Sequence, residues 1–198
     1  MLFSTSSLLA TAAFSLGSLV SAQETSWTPA GFSPAVAAKL EVIYGTKAST
    51  TPGTSYTKAE TARQPTIGTS DAPLNGTYMW LLIDLDVPAN FQNPSAGGRR
   101  TNLHALITGF KSSGQTVNGV YTLTSTSTGP ITYVGPSPPA ENPPYPHKYV
   151  SLLYETPGGF TVTRAQVGQT FGFNLTTFLS TVKITEAPVR ANYLTVTG

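Results

Sequence analysis

The 198-residue sequence contains no cysteine, only two histidines and only three aspartates. The absence of cysteine excludes disulfide bonds, thiol nucleophiles and thiolate metal ligands. Charge is also scarce, with eleven Lys and Arg against nine Asp and Glu and a net charge of +2. Nucleic-acid-binding domains concentrate basic residues on one surface, whereas Arg99-Arg100 is the only basic doublet here. The composition therefore argues against nucleic-acid binding.

Outside the N-terminus, no apolar run approaches the length of a membrane span. Residues 1–22 are rich in Leu, Ala and Phe and end in the small residues Val20-Ser21-Ala22, which is typical of a secretory signal peptide. A membrane anchor is the alternative, but polar residues interrupt the run, and it is short for a bilayer span. We therefore expect a secreted, extracellular protein, or alternatively a vacuolar one, without a transmembrane segment.

The mature chain, 23–198, has the length of a single domain, and its residues 23–38 could form a flexible leader. Asn75 and Asn174 each begin an Asn-x-Thr sequence and are candidate glycosylation sites on an exported chain. We therefore expect a secreted glycoprotein.

Short runs of β-branched and aromatic residues, separated by turn-forming segments, predict a β-rich domain. The run 77–86 is almost continuously apolar and predicts a central strand that is buried on both faces. Further strands are predicted at 39–44, 103–110, 131–135, 148–155 and 191–196, and 169–182 predicts a strand that turns into a short helix. The sequence thus predicts a mainly β, antiparallel sandwich with few short helices.

The rare ionisable residues fall inside these apolar runs. Asp84 and Asp86 lie two residues apart in the central run, and His104 and His147 lie in or at the start of two others. Residues i and i+2 of a strand share a face, so the aspartates share one unless a bulge intervenes. A buried Asp–His hydrogen bond within the core is one interpretation. The other is a pocket at the strand ends, in which the histidines donate to a small anion and Asp holds one of them charged.

Three blocks around these residues resemble the phosphatidylethanolamine-binding protein (PEBP) family, which includes the Raf kinase inhibitor protein-like proteins. The blocks are "YMWLLIDLDVP", "RTNLHALITG" and "YVGPSPPAENPPYPHKYVSLLYE", and they occur in the order that the family has. The resemblance covers about residues 39–194. It implies an antiparallel β-sandwich with a shallow anion-binding pocket.

The resemblance also implies which residues line that pocket. The implied ligand-binding residues are Asp84, Asp86, His104, Gly135, Pro139, His147 and Tyr149. Arg100 stands at the position of the family's motif arginine, where it would anchor its loop. Leu85 replaces the proline that the family places between the two aspartates.

By this resemblance the protein is expected to bind a phospholipid head group, phosphate or a carboxylate, more tightly at mildly acidic pH. We expect no enzymatic activity, metal or cofactor. Two histidines with a carboxylate could form a metal triad, but no H-E-x-x-H sequence is present, and no G-x-S-x-G sequence supports a serine nucleophile. Two carboxylates could hydrolyse a glycoside, but Asp84 and Asp86 on one strand are poorly placed to flank a sugar bond. The alternative function is inhibition of a secreted or vacuolar serine carboxypeptidase, with residues 23–34 as the inhibitory element.

Overall fold

The computed structural model describes residues 26–94 and 97–198, so the predicted signal peptide lies outside the described residues. Within these described residues, ten strands and two short helices follow one another. The strands are β1 (Glu41–Tyr44), β2 (Lys47–Ala48), β3 (Thr54–Tyr56), β4 (Thr66–Thr69), β5 (Thr77–Pro88), β6 (Arg99–Val117), β7 (Val120–Thr124), β8 (Pro130–Ile131), β9 (Pro146–Thr156) and β10 (Arg190–Thr197). The helices are α1 (Arg164–Val167) and α2 (Leu175–Thr181), and both lie between β9 and β10.

The strands form a curled sheet in the order β2-β1-β4-β7-β6-β5-β9-β10-β3, with β8 paired to β6. Strand β6 is long enough to pair with β5 along its first half and with β7 along its second half. The sheet therefore bends over on itself along β6. All pairings are antiparallel except that of β10 with β3. The predicted mainly β, antiparallel fold with few short helices is confirmed.

Strand β5 separates two apolar clusters, which explains its continuous hydrophobic sequence. Tyr78, Trp80 and Leu82 pack between the two halves of the curled sheet. Met79, Leu81 and Ile83 alternate with them and pack on the other face, under the helices and the N-terminal segment. Strands that are buried on both faces read as unbroken apolar runs rather than alternating ones. The central, two-sided strand predicted from the sequence is therefore present.

The helices begin where the sequence supplies side-chain caps. The hydroxyl of Thr163 accepts from the backbone N–H of Gln166, whose own side chain accepts from the N–H of Thr163. Asn174, one of the candidate glycosylation sites, accepts from the N–H of Thr177 and starts α2. These bonds satisfy N–H groups that a helix start leaves without partners. Helix α2 occupies the second part of the predicted strand-to-helix segment, and Phe171 makes an isolated bridge to Asn102 in its first part.

Two segments differ from their predictions. The run at 131–135 was expected to be a strand, but only Pro130–Ile131 pairs with β6, and residues 132–145 form a loop. The described part of the expected leader, 26–38, is packed: Trp27 donates its N–H to the carbonyl of Val36, and Trp27 and Phe32 lie against the outer apolar cluster. The contacts of these apolar side chains keep the segment packed against the outer apolar cluster. Within the described residues, none of the helices has the length and apolarity needed to cross a membrane.

Candidate functional site

The candidate site lies where the end of β5 meets the start of β9. The backbone of Asp84 pairs with that of Tyr149 on β9 and with that of Asn102 on β6. His147 lies two residues before Tyr149 and therefore on the same side of β9. The sheet thus brings Asp84, His147 and Tyr149 together, although they are far apart in the sequence.

A chain of charged hydrogen bonds runs through His147, which is fully buried. Its Nδ1–H donates to Asp84 Oδ2 at 2.9 Å, and its Nε2–H donates to Glu141 Oε1 at 2.9 Å. Carboxylates can only accept, so both ring nitrogens carry a proton and His147 is an imidazolium. Asp84, whose exposed fraction is 2%, uses its other oxygen to accept from the N–H of Asp86 at 2.8 Å. Every polar atom of this pair is therefore satisfied.

Arg99 binds the same Glu141 carboxylate through two hydrogen bonds. Its two terminal nitrogens donate to Glu141 Oε1 and Oε2, each at 2.7 Å. Arg99 also donates to the carbonyl of Asp86 at 2.9 Å and lies 4.0 Å above the centre of the Tyr145 ring. A guanidinium in a fork of this kind matches the plane of a carboxylate. Glu141 thus sits between two cations.

These contacts set the pKa values of the site. Burial opposes charge on His147, but the hydrogen bonds to Asp84 and Glu141 outweigh it and raise its pKa. The Arg99 guanidinium lowers the pKa of Glu141 to about 2, with His147 acting in the same direction and desolvation opposing. At neutral pH the site therefore contains a charged histidine between ionised carboxylates.

His104 behaves differently from His147. Its Nδ1–H donates to the carbonyl of Val134 at 3.0 Å, and its Nε2 lies 3.2 Å from the side-chain nitrogen of Asn102. Burial lowers its pKa, so the ring is neutral and Nε2 accepts from Asn102. His104 packs edge-on against Tyr149, with 5.2 Å between ring centroids. Of the two predicted histidines, only His147 donates a charged hydrogen bond toward the site.

Tyr149 contributes a hydroxyl that is buried and has no hydrogen-bond partner among the described residues. Desolvation and then the nearby charge of Asp84 raise its pKa, so it remains protonated. A buried polar group without a partner is unusual in folded proteins and often marks a place for a water or a ligand.

The loop 132–145 forms the wall of the site. Gly135 lies against the backbone of Thr61, so that a Cβ at this position would stand 2.7 Å from the Thr61 carbonyl oxygen. Only glycine allows this approach. Pro138 is buried and Pro139 is half-buried in the same loop. The predicted residues Gly135 and Pro139 thus shape the loop rather than contact His147 with polar atoms.

Asp86 points away from His147. Its Oδ2 accepts from the backbone N–H of Lys148 at 2.8 Å, and the Lys148 ammonium lies 3.3 Å from the same oxygen. The register of β5 against β6 shifts between Asp84 and Val87, so the two aspartates do not share a face. The sequence did not decide whether a bulge separates the two aspartates, and the structure has such an irregularity. Asp86 does not face the histidines: its carbonyl accepts from Arg99, and its carboxylate accepts from Lys148.

The sequence model of the phosphatidylethanolamine-binding protein family matches residues 42–194. The chain belongs to this family. The PEBP match spans β1 to β10 and therefore includes all of the site described above. No curated protein sequence matches the chain.

Two solved structures are similar to this chain. Carboxypeptidase Y inhibitor, in the crystal structure of its complex with the cognate proteinase, is similar with a TM-score of 0.54 and 16% identity, over 82% of this chain and 84% of that one. The PEBP of Plasmodium vivax is similar with a TM-score of 0.48 and 18% identity, over 79% and 83% of the two chains. The first likeness shows a shared fold.

The site of this PEBP contains residues that sequence reasoning did not select. Glu141, Tyr145 and Lys148 lie within or next to the third motif block, yet only their tertiary contacts reveal them. Of the two neighbouring arginines, Arg99 reaches Glu141, whereas Arg100, which the resemblance places at the motif position, is exposed. Neighbouring residues of a strand point to opposite faces, so the doublet itself could not identify which arginine enters the site. No metal-binding group of His, Asp and Glu occurs among residues 26–94 and 97–198.

Proposed function

We propose that this PEBP-family protein binds a small anion at the Nε2–H of His147, with the phosphate of a lipid head group or a carboxylate as the ligand. One observation carries the proposal: a buried imidazolium, oriented by Asp84 at Nδ1, already directs its Nε2–H at an anionic group, the Glu141 carboxylate. Charge-assisted hydrogen bonds of this kind contribute about 1.5–3 kcal/mol each. Asp84 acts as a positioning residue because it fixes the ring and its charge.

The Tyr149 hydroxyl supports the same assignment. It is buried near Asp84 and the backbone of Ser137 without a hydrogen bond of normal geometry, so a ligand that reached it would give it an acceptor. His104 is neutral and already uses both ring nitrogens, so it supports the Tyr149 ring and makes no contribution of charge. The ligand-binding group that we propose is thus His147 with Tyr149, positioned by Asp84.

Phosphoethanolamine is expected to shift the ring signals of His147 in an NMR titration of the mature protein and to saturate, while the His104 signals move less. The reason is that only His147 donates toward the anion. Addition of inorganic phosphate distinguishes a phosphate site from one that needs the ethanolamine group. His147→Ala serves as the control, since it removes the donor and should abolish the shifts elsewhere in the site.

The affinity for acetate, which is almost fully ionised above about pH 6, should hold through the ordinary histidine pKa of about 6.5 and fall only at higher pH, as His147 loses its proton. The direction follows from the raised pKa of His147, which Asp84 and Glu141 cause. An affinity that is the same at about pH 6 and about pH 10 would contradict the role of the imidazolium. If no anion binds but the protein inhibits a serine carboxypeptidase, the inhibitor function replaces the proposed one.

Secretion is part of the proposal and rests on residues 1–22 alone. Expressed in a eukaryotic host, the full chain is expected in the medium with Gln23 at its N-terminus. The mass of the intact, deglycosylated protein measures this, and the mass lost on deglycosylation reports on Asn75 and Asn174, both of which are exposed. Retention in the cell with residues 1–22 still attached would overturn it.

A further inference from the structure

The anion position of the site is filled by the protein itself. Glu141 Oε1 accepts from His147 Nε2 and from Arg99, while Oε2 accepts from the other Arg99 nitrogen. The Glu141 side chain is almost fully buried, with 2% of its surface exposed. Its neighbours Ala140, Asn142, Pro143 and Pro144 are exposed, so the loop places this one carboxylate into the site.

We propose that Glu141 is a built-in occupant of the anion site, and that an external phosphate or carboxylate binds only by replacing it. The inference rests on the proposed function, because it assumes that His147 is the anion-binding group. An external anion would need the donor that Glu141 now occupies. Two anions at hydrogen-bond distance from one ring nitrogen repel each other strongly in a buried site, so their binding is mutually exclusive.

The balance of charge supports replacement rather than addition. The cations of the site are His147, Arg99 and Lys148, and its carboxylates are Asp84, Asp86 and Glu141. Three positive charges therefore face three negative ones. Withdrawal of Glu141 leaves an excess of one positive charge, which favours the entry of a single anion.

Arg99 would remain in place when Glu141 leaves. It is held by the carbonyl of Asp86 at 2.9 Å and by the face of the Tyr145 ring, and neither contact involves Glu141. The vacated site would therefore present a guanidinium fork and the Nε2–H of His147 to one ligand. This pair of donors fits a carboxylate or a phosphate with at least two free oxygens.

The start of the loop is anchored separately from Glu141. Tyr133 donates to the carbonyl of Thr61 at 2.5 Å, and Val134 donates its N–H to the carbonyl of His104 at 2.9 Å. The turn that carries Glu141 can therefore move while the first part of the wall stays fixed. Because Glu141 is tethered, it competes at a high effective concentration, on the order of millimolar or above. The unmodified protein is thus expected to bind free anions weakly.

Glu141→Ala should bind acetate and inorganic phosphate at least about tenfold more tightly than the unmodified protein, since the loss of an internal competitor is worth one or more charge-assisted bonds. Calorimetric or NMR titration at pH 6 measures the two affinities. Glu186→Ala is the matched control: it removes an exposed glutamate outside the site and should bind like the unmodified protein.

If Glu141→Ala and the unmodified protein bind equally, the inference that Glu141 occupies the anion site is wrong, and the proposed function still stands. No binding by either, with folded NMR spectra, would overturn both. A second measurement does not depend on a variant that folds. When acetate saturates the unmodified protein, the side-chain carboxyl ¹³C signal of Glu141, assigned by comparison with Glu141→Gln, should move to the position of a free glutamate. An unchanged Glu141 signal at saturation would also overturn the inference.

Discussion

Replacing Asp84 by alanine is expected to lower the free energy of unfolding by about 3–5 kcal/mol, because it leaves a buried charge without its partner. Asp84 is 2% exposed, and its two oxygens accept from the His147 ring and from the N–H of Asp86. The variant loses both bonds and leaves the fully buried imidazolium with Glu141 alone. Denaturant titration followed by tryptophan fluorescence measures the change.

Asp71→Ala provides the matched control for this result. Asp71 also pairs with an arginine, Arg190, at 2.8 Å, but 60% of its side-chain surface is exposed. Exposed ion pairs contribute about 0–1 kcal/mol, so its loss should have a small effect. Asp84→Asn should fall between the two, because it keeps the shape and loses only the charge. Equal stability of Asp84→Ala and Asp71→Ala would show that Asp84 is not paired as described.

Trp80→Ala is expected to destabilise the protein by about 3–5 kcal/mol through the cavity that it leaves. Trp80 is completely buried on the inner face of β5, edge-on to Phe110 and stacked on Tyr133, with ring centroids 6.2 Å apart in both pairs. Tyr133 lies at the start of the site loop, so the same change should also loosen that loop. Denaturant unfolding followed by circular dichroism measures the loss of stability.

Trp80→Phe separates packing from hydrogen bonding. The indole N–H of Trp80 is buried and has no partner among the described residues, so its removal forfeits no hydrogen bond. We expect the phenylalanine variant to lose less stability than the alanine variant, since an aromatic ring still fills most of the space. A Phe variant as unstable as the Ala variant would mean that the stacking on Tyr133 cannot be preserved by a smaller ring.

The fold could be predicted well because its signals are local. Strand β5 was evident from its unbroken apolar sequence, and Trp80 was expected in the core for the same reason. The prediction of a strand at 131–135 was wrong in its extent. An alternation of apolar residues shows which residues could pair, but it does not show whether a neighbouring strand is available. Beyond Ile131 the chain leaves β6, and Tyr133 and Val134 form other contacts.

The candidate site was predicted only in part. Asp84 and His147 could be found because a charged residue in an apolar strand requires a partner, and each is the partner of the other. Glu141 gives no such signal, since a glutamate in a proline-rich loop is an ordinary solvated residue by sequence. Its burial depends on Arg99, which is 42 residues away in the chain. Roles that depend on contacts between distant segments cannot be read from spacing.

The pairing of β10 with β3 and with the segment before β1 has a consequence for biosynthesis. Leu194 pairs with Thr54, and Ala191 bridges Lys39, so early residues complete their hydrogen bonds only with late ones. At about 5–20 residues per second, the ribosome needs roughly ten seconds to make the intervening chain. During this time the early strands offer an unpaired edge to other nascent chains. Aggregation during synthesis is therefore the hazard that this topology creates.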